Sequence, residues 1–571
     1  MTAKASPKSG LDVEEARATS FPSSKQGGWI TFPFITGSLL ALVIALSGAT
    51  SNLIVYLIEQ YNVKSIDAAQ ISNIVNGCSS AAPVLGAIVS DSYFGCFAVV
   101  AVSTFVALLS LILFTLSATL PSLRPSPCAP GSNTCQAAST PQLAVLYAAV
   151  ALMCVAAGGT RFTMATMGAD QFDTALEQDT FFNWYFVALY AGSVAGATVL
   201  VYVEDSVSWG WGFGACTAAS AVGFVVLLLG TRHYRRPRPG GSPFTGLIQV
   251  VVAAARKWKV TGDQQADYYH GPGLLHGLPP PTGSFRCLNR AAVKTEGDTN
   301  SDGSVAKPWR LCTVKQVEDL KTILRILPLW STSIFLSVSI GIQGSLTVLQ
   351  ALTVDRSLGP RFSVPAGSLM VTTLVATALS LSLLDRCFFP AWRKLVREKN
   401  PTPLQRVGLG HVLNAVAMAA SALVERRRMR AVRTHHLAAG SPGSVVPMSV
   451  LWLLPPLLVV GVGEAMHFPG QVALYYQEFP AALRSSATGM IALIVALGFY
   501  LSTAVIDLVR KVTDWLPDDV STSKLDRMYW LLAAGGMLNF GAYLVCASVY
   551  KYRSVPEEVG SKEEIPGRVV G

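Results

Sequence analysis

Long apolar segments alternate with shorter polar ones along almost the whole chain. Twelve segments each hold about 20 mostly apolar residues, the length that an α-helix needs to cross a bilayer. The pattern therefore predicts an all-α membrane protein with twelve transmembrane helices. The predicted segments, called spans 1 to 12 below, are 30–58, 70–90, 97–120, 142–162, 184–203, 212–230, 322–346, 366–386, 404–424, 447–470, 486–508 and 527–550.

The longest polar stretch, 231–321, divides the spans into two groups of six. It contains fourteen Lys and Arg against seven Asp and Glu, and such an excess marks the cytoplasmic side of a membrane. Both chain ends are therefore expected in the cytoplasm. The predicted units are a tail at 1–28, a six-helix bundle at 29–230, the basic linker at 231–321, a second six-helix bundle at 322–552 and a tail at 553–571.

The loops add two expectations and one conflict. Within the linker, FTGLIQVVVAAARKWKV predicts an amphipathic helix against the inner membrane surface, and DYYHGPGLLHGLPPPTGS is expected to be irregular because of its Gly and Pro. The conflict lies after span 9, where VERRRMRAVRTHH is strongly basic although a twelve-span topology places it outside.

Composition supports the membrane assignment. The 571 residues are 51% hydrophobic and only 14% charged, with a mean hydropathy of +0.44, whereas soluble domains carry about a quarter charged residues. The start, MTAKASPKSGLDVEEARATS, has no apolar core and is not expected to be a cleaved signal peptide. The net charge of +10 resides in loops, where it indicates membrane orientation and not nucleic-acid binding.

Candidate catalytic or metal-binding chemistry is not indicated by the sequence. No nucleophile, base and orienting residue form a recognisable set, and no metal-ligand spacing occurs, so neither an enzyme nor a metal or other cofactor is predicted. Cys128 and Cys135 share the loop SLRPSPCAPGSNTCQ, which is expected outside. They form either a structural disulfide or two free thiols.

Charge is distributed unevenly among the spans. Span 1, FPFITGSLLALVIALSGATSNLIVYLI, has no ionisable residue, whereas LAVLYAAVALMCVAAGGTRFTMATMG carries Arg161 near its end. A charge at membrane depth is costly and is kept where it faces a cavity or serves a function. A buried cation among few buried acids is suited to a small anion.

A short glycine-bounded motif follows span 2. Gly86-Ala-Ile-Val-Ser-Asp91-Ser-Tyr-Phe-Gly95 indicates a tight cytoplasmic turn and resembles the loop signature of major facilitator transporters, with Cys96 where a basic residue is usual. The alternative is an ordinary short loop.

Longer motifs resemble one family. GGTRFTMATMGADQFD, which contains Asp170, is followed by FFNWYF, WRLCTVKQVEDLK, TPLQRVGLG and GQVALYYQEFPAALRS. Over about residues 28–552 the chain is similar to the plant nitrate/peptide transporter family, part of the proton-dependent oligopeptide transporter group. The resemblance implies two six-helix bundles that work by alternating access, with a substrate site near the membrane midplane between them.

Departures from the family pattern concern the charged positions. Family members usually carry Glu-x-x-Glu-Arg in the first helix, where this chain has Leu39, Leu42 and Val43. Those carboxylates are the family's proposed proton-coupling groups, so coupling is either lost here or transferred to another residue. In span 10 the family usually reads Gly-Gln-x-Glu; Ala473 replaces this glutamate, which argues against a peptide substrate.

Arg161 stands where the family usually has a lysine. Arginine presents a planar fork of donors that matches planar oxyanions, so Arg161 either binds an anion or packs against carbonyls and water. An uncharged first helix together with GGTRF resembles the nitrate excretion subgroup. That resemblance implies a plasma-membrane protein that passes nitrate or chloride outward and downhill.

Further polar residues in the spans are weaker candidates. His467 lies one turn before Gln471 and either donates to an anion or is a packing histidine. Asn76 and Gln343 either contact substrate or join helices, and Glu464 is expected to be structural, as is Asp170. The alternatives to an uncoupled anion carrier are a proton-coupled symporter of nitrate or a plant metabolite, and an anion sensor that does not transport.

Overall fold

The computed structural model describes residues 26–126, 136–237, 243–260, 267–271, 280–300, 302–396, 401–435, 445–479, 484–517 and 523–550. Twelve helices in these residues are long and apolar enough to cross a membrane, and each overlaps one predicted span. The predicted fold class is therefore confirmed. The α-helices of the spans are Phe32–Ser51 with Leu53–Tyr61, Ser65–Val89, Cys96–Thr119, Thr140–Thr160 with Phe162–Ala169, Ala175–Ala195 with Val201–Ser206, Trp209–Leu229, Val314–Thr353, Val371–Leu383 with Phe389–Val396, Pro403–Thr434, Leu454–Glu478, Arg484–Val512 and Leu525–Val549.

Helix packing produces two halves that meet along a central seam. In the first half span 6 packs on spans 1 and 3, and span 4 packs on spans 2 and 3. In the second half span 9 packs on spans 10 and 12. Spans 2, 7 and 11 pack together across the seam, so contacts between these three helices join the halves.

Span 1 differs from the single continuous helix that its hydropathy predicts. The first helix ends at Ser51, and a second begins at Leu53 after Asn52, whose backbone (φ −106°, ψ 8°) is not helical. Asn52 is fully buried, and the carbonyl of Ser51 lies against Gly367 of the opposite half. The break therefore lies where the two halves touch.

Loops at one end of the molecule, called the far end below, hold the halves together. The far end contains the turn between spans 1 and 2, at Asn62, and a two-stranded parallel sheet of Val354–Asp355 and Val446–Ser449. Ion pairs between the halves lie here: Arg510 with Asp67 at 2.6 Å, and Arg356 with Asp205 at 3.5 Å. The opposite end, where the linker lies, is called the linker end.

The linker forms a small folded unit with its own apolar core. The expected amphipathic helix is Pro243–Arg256, and its residues Val250 and Ala253 are fully buried against Ala291 and Ala292. The same cluster includes residues from the start of the span 7 helix, which begins at Val314, so the predicted boundary at 321 falls inside that helix. The linker is thus attached to the second half by shared packing.

The span 9 helix continues nearly three turns beyond its predicted end, and this explains part of the conflict in the charge pattern. The helix runs to Thr434 and carries the basic segment. Arg428 turns inward and donates to both oxygens of Glu425, at 2.6 and 2.8 Å, with both side chains fully buried. Gln350 donates to the same carboxylate at 2.6 Å. One arginine of the basic segment is therefore neutralised inside the protein.

Candidate substrate pathway

A cavity of about 350 Å³, lined mostly by apolar residues with several polar side chains among them, lies on the seam between the halves. Span 2 contributes Asn73 and Asn76, which are three residues apart and so share a helix face. Span 7 contributes Gln343 and two glycines that leave space beside it. The remaining walls come from spans 1, 8, 10 and 11, so the cavity is formed by both halves, as a site for alternating access requires.

Among the described residues, some polar side chains of this cavity form hydrogen bonds with other protein groups, and others do not. The Gln343 amide donates to Ser421 of span 9 at 2.8 Å, and Asn73 donates to Ser345 at 3.4 Å. The side chain of Asn76 has no hydrogen-bond partner among the described residues and is half-buried. Of the sequence-predicted site residues, the structure thus brings Asn76 and Gln343 to one cavity.

Glu464, which the sequence indicates as a structural residue, also lines this cavity. Its carboxylate accepts a 3.4 Å hydrogen bond from Thr377 of span 8. Span 10 therefore does present a carboxylate to the seam, although Ala473 occupies the position at which the family pattern was expected to supply one. Whether a residue of span 10 faces the cavity depends on its direction around the helix, which the hydropathy pattern does not show.

Arg161 lies outside the lining of this cavity, at a bend between the two helices of span 4. Its side chain is exposed, and among the described residues no carboxylate and no hydrogen-bond acceptor contacts the guanidinium. The hydroxyl of Tyr185 donates to its backbone carbonyl at 3.2 Å, which fixes the bend. Arg161 is thus an unpaired cation toward the linker end of span 4.

His467 and Gln471 are enclosed within the second half and do not line the seam cavity. The ring of His467 packs edge-on against His411, with centroids 5.0 Å apart, and its Nδ1 lies 3.4 Å from the carbonyl oxygen of Val407. Gln471 donates to Ser333 of span 7 at 2.5 Å. Both side chains therefore contact neighbouring helices in this conformation.

The residues at the positions of the family's Glu-x-x-Glu-Arg motif pack against apolar neighbours. Leu39 is buried in a cluster with Ile35 and Tyr185, and Leu42 is buried with Ala107 and Ala156 of spans 3 and 4. Val43 contacts Gly192 of span 5. These positions offer no group that binds a proton.

Two acids buried toward the far end, Glu204 and Glu425, were not anticipated from the sequence. Glu204 at the far end of span 5 is 1% exposed; Cys216 donates to one oxygen at 3.9 Å, and the other has no partner among the described residues. Glu425 is the second, paired with Arg428 as above. With Glu464, the membrane helices therefore contain more carboxylates than the span hydropathy suggests.

The turn between spans 2 and 3 agrees in part with its motif. A Cβ on Gly86 would collide with the carbonyl of Gly158 in span 4, so the two helices touch here. Span 2 ends in a π-helical turn, Ser90–Phe94, which is wider than the tight turn expected and contains Asp91. Gly95 follows with a φ of +77°, which glycine adopts without strain.

Asp170 caps the linker end of span 4. It follows the helix Phe162–Ala169, and its backbone N–H donates to the carbonyl of Thr166 at 2.9 Å. Burial raises the pKa of its carboxyl, and the nearby charge of Asp91 raises the pKa further. Cys128 and Cys135 lie outside the described residues, so their pairing remains a prediction.

Twelve helices of the described residues, in two halves around a cavity, define a membrane carrier with the major facilitator type of fold. Residues 97–522 match the model of the POT family, and the chain belongs to this family. It is 49% identical to protein NRT1/PTR FAMILY 2.3 of Arabidopsis thaliana, with 95% of this chain and 96% of the relative covered. It is also 49% identical to NRT1/PTR FAMILY 2.7 of the same plant, with 96% and 97% covered.

Solved structures of similar fold are transporters of the same family. An auto-inhibited POT family peptide transporter matches with a TM-score of 0.68 and 16% identity, covering 92% of this chain and 98% of that one. A peptide transporter POT in complex with sulfate matches with a TM-score of 0.61 and 12% identity, covering 94% and 98%. At these identities the likeness concerns the fold alone. POT family members are transporters, so the protein is a transporter and not an enzyme.

Proposed function

We propose that the protein carries nitrate or chloride outward across the plasma membrane by alternating access without proton coupling. Both termini lie in the cytoplasm in this proposal, so the far end faces outside. A negative cell interior drives a monovalent anion outward with about 2.3 kcal/mol per 100 mV, so an uncoupled carrier releases nitrate downhill.

The observation that carries the proposal is the unpaired guanidinium of Arg161. A membrane-embedded cation normally has a carboxylate partner, and the described residues provide none for Arg161. An exposed guanidinium fork at the linker end attracts a planar oxyanion that enters from that side. In this proposal Asn76 then donates to the anion in the seam cavity.

The apolar packing of Leu39, Leu42 and Val43 supports the absence of coupling. A carrier binds and releases a proton in each cycle only through a titratable group in its pathway. These three positions hold none, and each is packed against spans 3, 4 or 5.

Glu464 favours a second candidate, a proton-coupled anion symporter. Its carboxylate lies in the cavity between the halves, where protonation would remove a charge that repels an anion. In this alternative one proton accompanies each nitrate, and acidification on the side of uptake increases the flux.

Nitrate flux into proteoliposomes at a fixed voltage tests the role of Arg161. Arg161→Gln is expected to reduce nitrate flux to background while the thermal unfolding midpoint stays within a few degrees of wild type. Arg161→Lys keeps the charge but loses the planar fork, and it should retain a reduced flux. Normal flux in Arg161→Gln would remove the basis of the proposal.

A further inference from the structure

Three arginines on the outer face of span 9 line a separate cavity at the far end. Its volume is about 310 Å³, within the range of about 300–1,000 Å³ typical of small-molecule sites. Span 9 contributes Arg426, Arg427 and Arg430 together with Leu423 and Val424, and Trp452 at the start of span 10 completes the lining. This feature is distinct from the seam cavity, with which it shares no lining residue.

The positive charge of this cavity has no acidic partner among the described residues. Among the described residues no Asp or Glu forms an ion pair with Arg426, Arg427 or Arg430, and all three are exposed. The nearest acid in the sequence, Glu425, is occupied by Arg428 in the buried pair. The segment 436–444, HLAAGSPGS, contains no acid in its sequence. Three exposed arginines with no acidic partner among the described residues attract an anion to this cavity.

The apolar residues that line this cavity are typical of a membrane interface. Leu423 and Trp452 are 56% and 42% exposed, which is expected of apolar residues that face lipid. The guanidinium of Arg427 stacks over the Trp452 ring at 3.7 Å from its centroid, a cation–π contact that orients the fork. Tryptophan is enriched at the level of lipid headgroups, so Trp452 indicates that the cavity lies at the membrane surface.

The depth of the arginines agrees with the headgroup layer. At 1.5 Å per helical residue, Arg426 and Arg430 lie roughly 3 and 9 Å beyond Val424, the end of the apolar segment. The polar layer on each side of a bilayer is about 5–8 Å thick. A free inorganic anion would interact with the arginines alone. A phosphate that carries acyl chains would interact with the arginines and also with the exposed apolar residues.

We propose that Arg426, Arg427 and Arg430 bind the phosphate of an anionic phospholipid headgroup, with its acyl chains along Leu423 and Trp452. Arginine is suited to this because its fork binds two phosphate oxygens at once. The bound lipid fixes the far end of span 9 and provides the counter-charge for a basic segment on the outer side. This inference does not depend on nitrate being the substrate.

Native mass spectrometry of the full-length protein in detergent tests the site with phosphatidylglycerol as the probe. Arg426→Gln, Arg427→Gln and Arg430→Gln together are expected to weaken phosphatidylglycerol binding roughly a hundredfold, from about fivefold per arginine. Arg433→Gln is the matched control, because Arg433 is exposed on the same helix but does not line the cavity, and it should bind as wild type. The triple Arg→Lys variant should lie between the two.

Two outcomes would overturn the proposal. Equal phosphatidylglycerol binding by wild type and the triple Gln variant would show that the lipid sits elsewhere. Inorganic phosphate that displaces the lipid and binds equally tightly through the same arginines would assign the site to a free anion. If the triple variant does not fold, Arg430→Gln alone, with an expected loss of about fivefold, gives the same comparison.

Discussion

Asp67 of span 2 and Arg510 of span 11 form a 2.6 Å ion pair that joins the two halves at the far end. One turn away on the same faces, Gln70 donates to Asp507 at 2.6 Å. These two contacts lie three residues apart on each helix and form a clasp beyond the seam cavity. The clasp holds the far end together, and an alternating-access carrier must release it to open on that side.

Breaking the clasp is expected to favour the conformation that is open at the far end. Arg510→Gln should raise the population of this state by about 1.5- to 5-fold, since a partly exposed ion pair contributes roughly 0.2–1 kcal/mol. Cys78, whose thiol lies 3.1 Å from the Tyr500 hydroxyl on the seam, reports on opening. Its labelling by an impermeant maleimide, mapped by mass spectrometry, should become faster.

The charge-reversed pair Asp67→Arg with Arg510→Asp is the control for this prediction. It restores the attraction with the charges exchanged, so Cys78 labelling should return toward the wild-type rate. Unchanged labelling in Arg510→Gln would show that the ion pair does not contribute to closure.

Neutralising Glu464 is expected to increase nitrate transport. The carboxylate lies in the seam cavity, and removing a charge of the same sign as nitrate should lower the KM by roughly two- to tenfold, equivalent to about 0.4–1.4 kcal/mol. Glu464→Gln keeps the size and the contact with Thr377. Loss of a pH-dependent flux in this variant would instead identify Glu464 as a coupling residue.

The linker unit depends on a buried ion pair between Lys257 and Asp298, 2.6 Å apart with both side chains almost fully buried. Lys257→Met leaves the buried carboxylate of Asp298 with only Thr295 and the more distant Arg310, at 3.5 Å, and should destabilise the unit by at most about 3–5 kcal/mol. Limited proteolysis of the full chain should then cut the linker faster. Lys294→Met, which breaks the exposed pair with Asp267, should have little effect.

The same carboxylate predicts a pH dependence. Burial alone would raise the pKa of Asp298, but the bonds from Lys257 and Thr295 outweigh it and hold the pKa below its ordinary value. The linker unit should therefore keep this stabilisation above about pH 4 and lose it as the pH falls through the lowered pKa. Proteolysis by an acid-active protease should show that loss, and Asp298→Asn should remove the pH dependence.

Hydropathy predicted the number of spans but not where their helices break or end. The sequence is apolar on both sides of Asn52, so hydropathy predicts one continuous helix. The structure shows that the helix breaks at Asn52, where this region contacts Gly367 of the opposite half. Span 9 passes its apolar limit because arginine is a good helix former and because Glu425 and Arg428, three residues apart, pair along the helix. The contact with Gly367 is tertiary and leaves no periodic signal in the sequence, whereas the pair of Glu425 and Arg428 is local to the helix.

The sequence indicates candidate site residues by their unusual type, but it does not indicate the direction in which their side chains point. Arg161 is conspicuous as a charge in an apolar segment, and the structure provides it with no acidic partner in the described residues. Asn76 and Gln343 do face the seam, whereas His467 and Gln471 face neighbouring helices. Helix rotation separates these cases, and the rotation is set by packing on other spans.

The most direct test of the central proposal is nitrate flux in proteoliposomes in which membrane voltage and pH gradient are set independently. The uncoupled carrier built around Arg161 predicts a flux that follows the voltage, is unchanged by the pH gradient and disappears in Arg161→Gln. A flux that requires the proton gradient at zero voltage would contradict it and assign coupling to an acid such as Glu464. Nitrate binding without flux under either gradient would contradict transport itself and indicate a sensor.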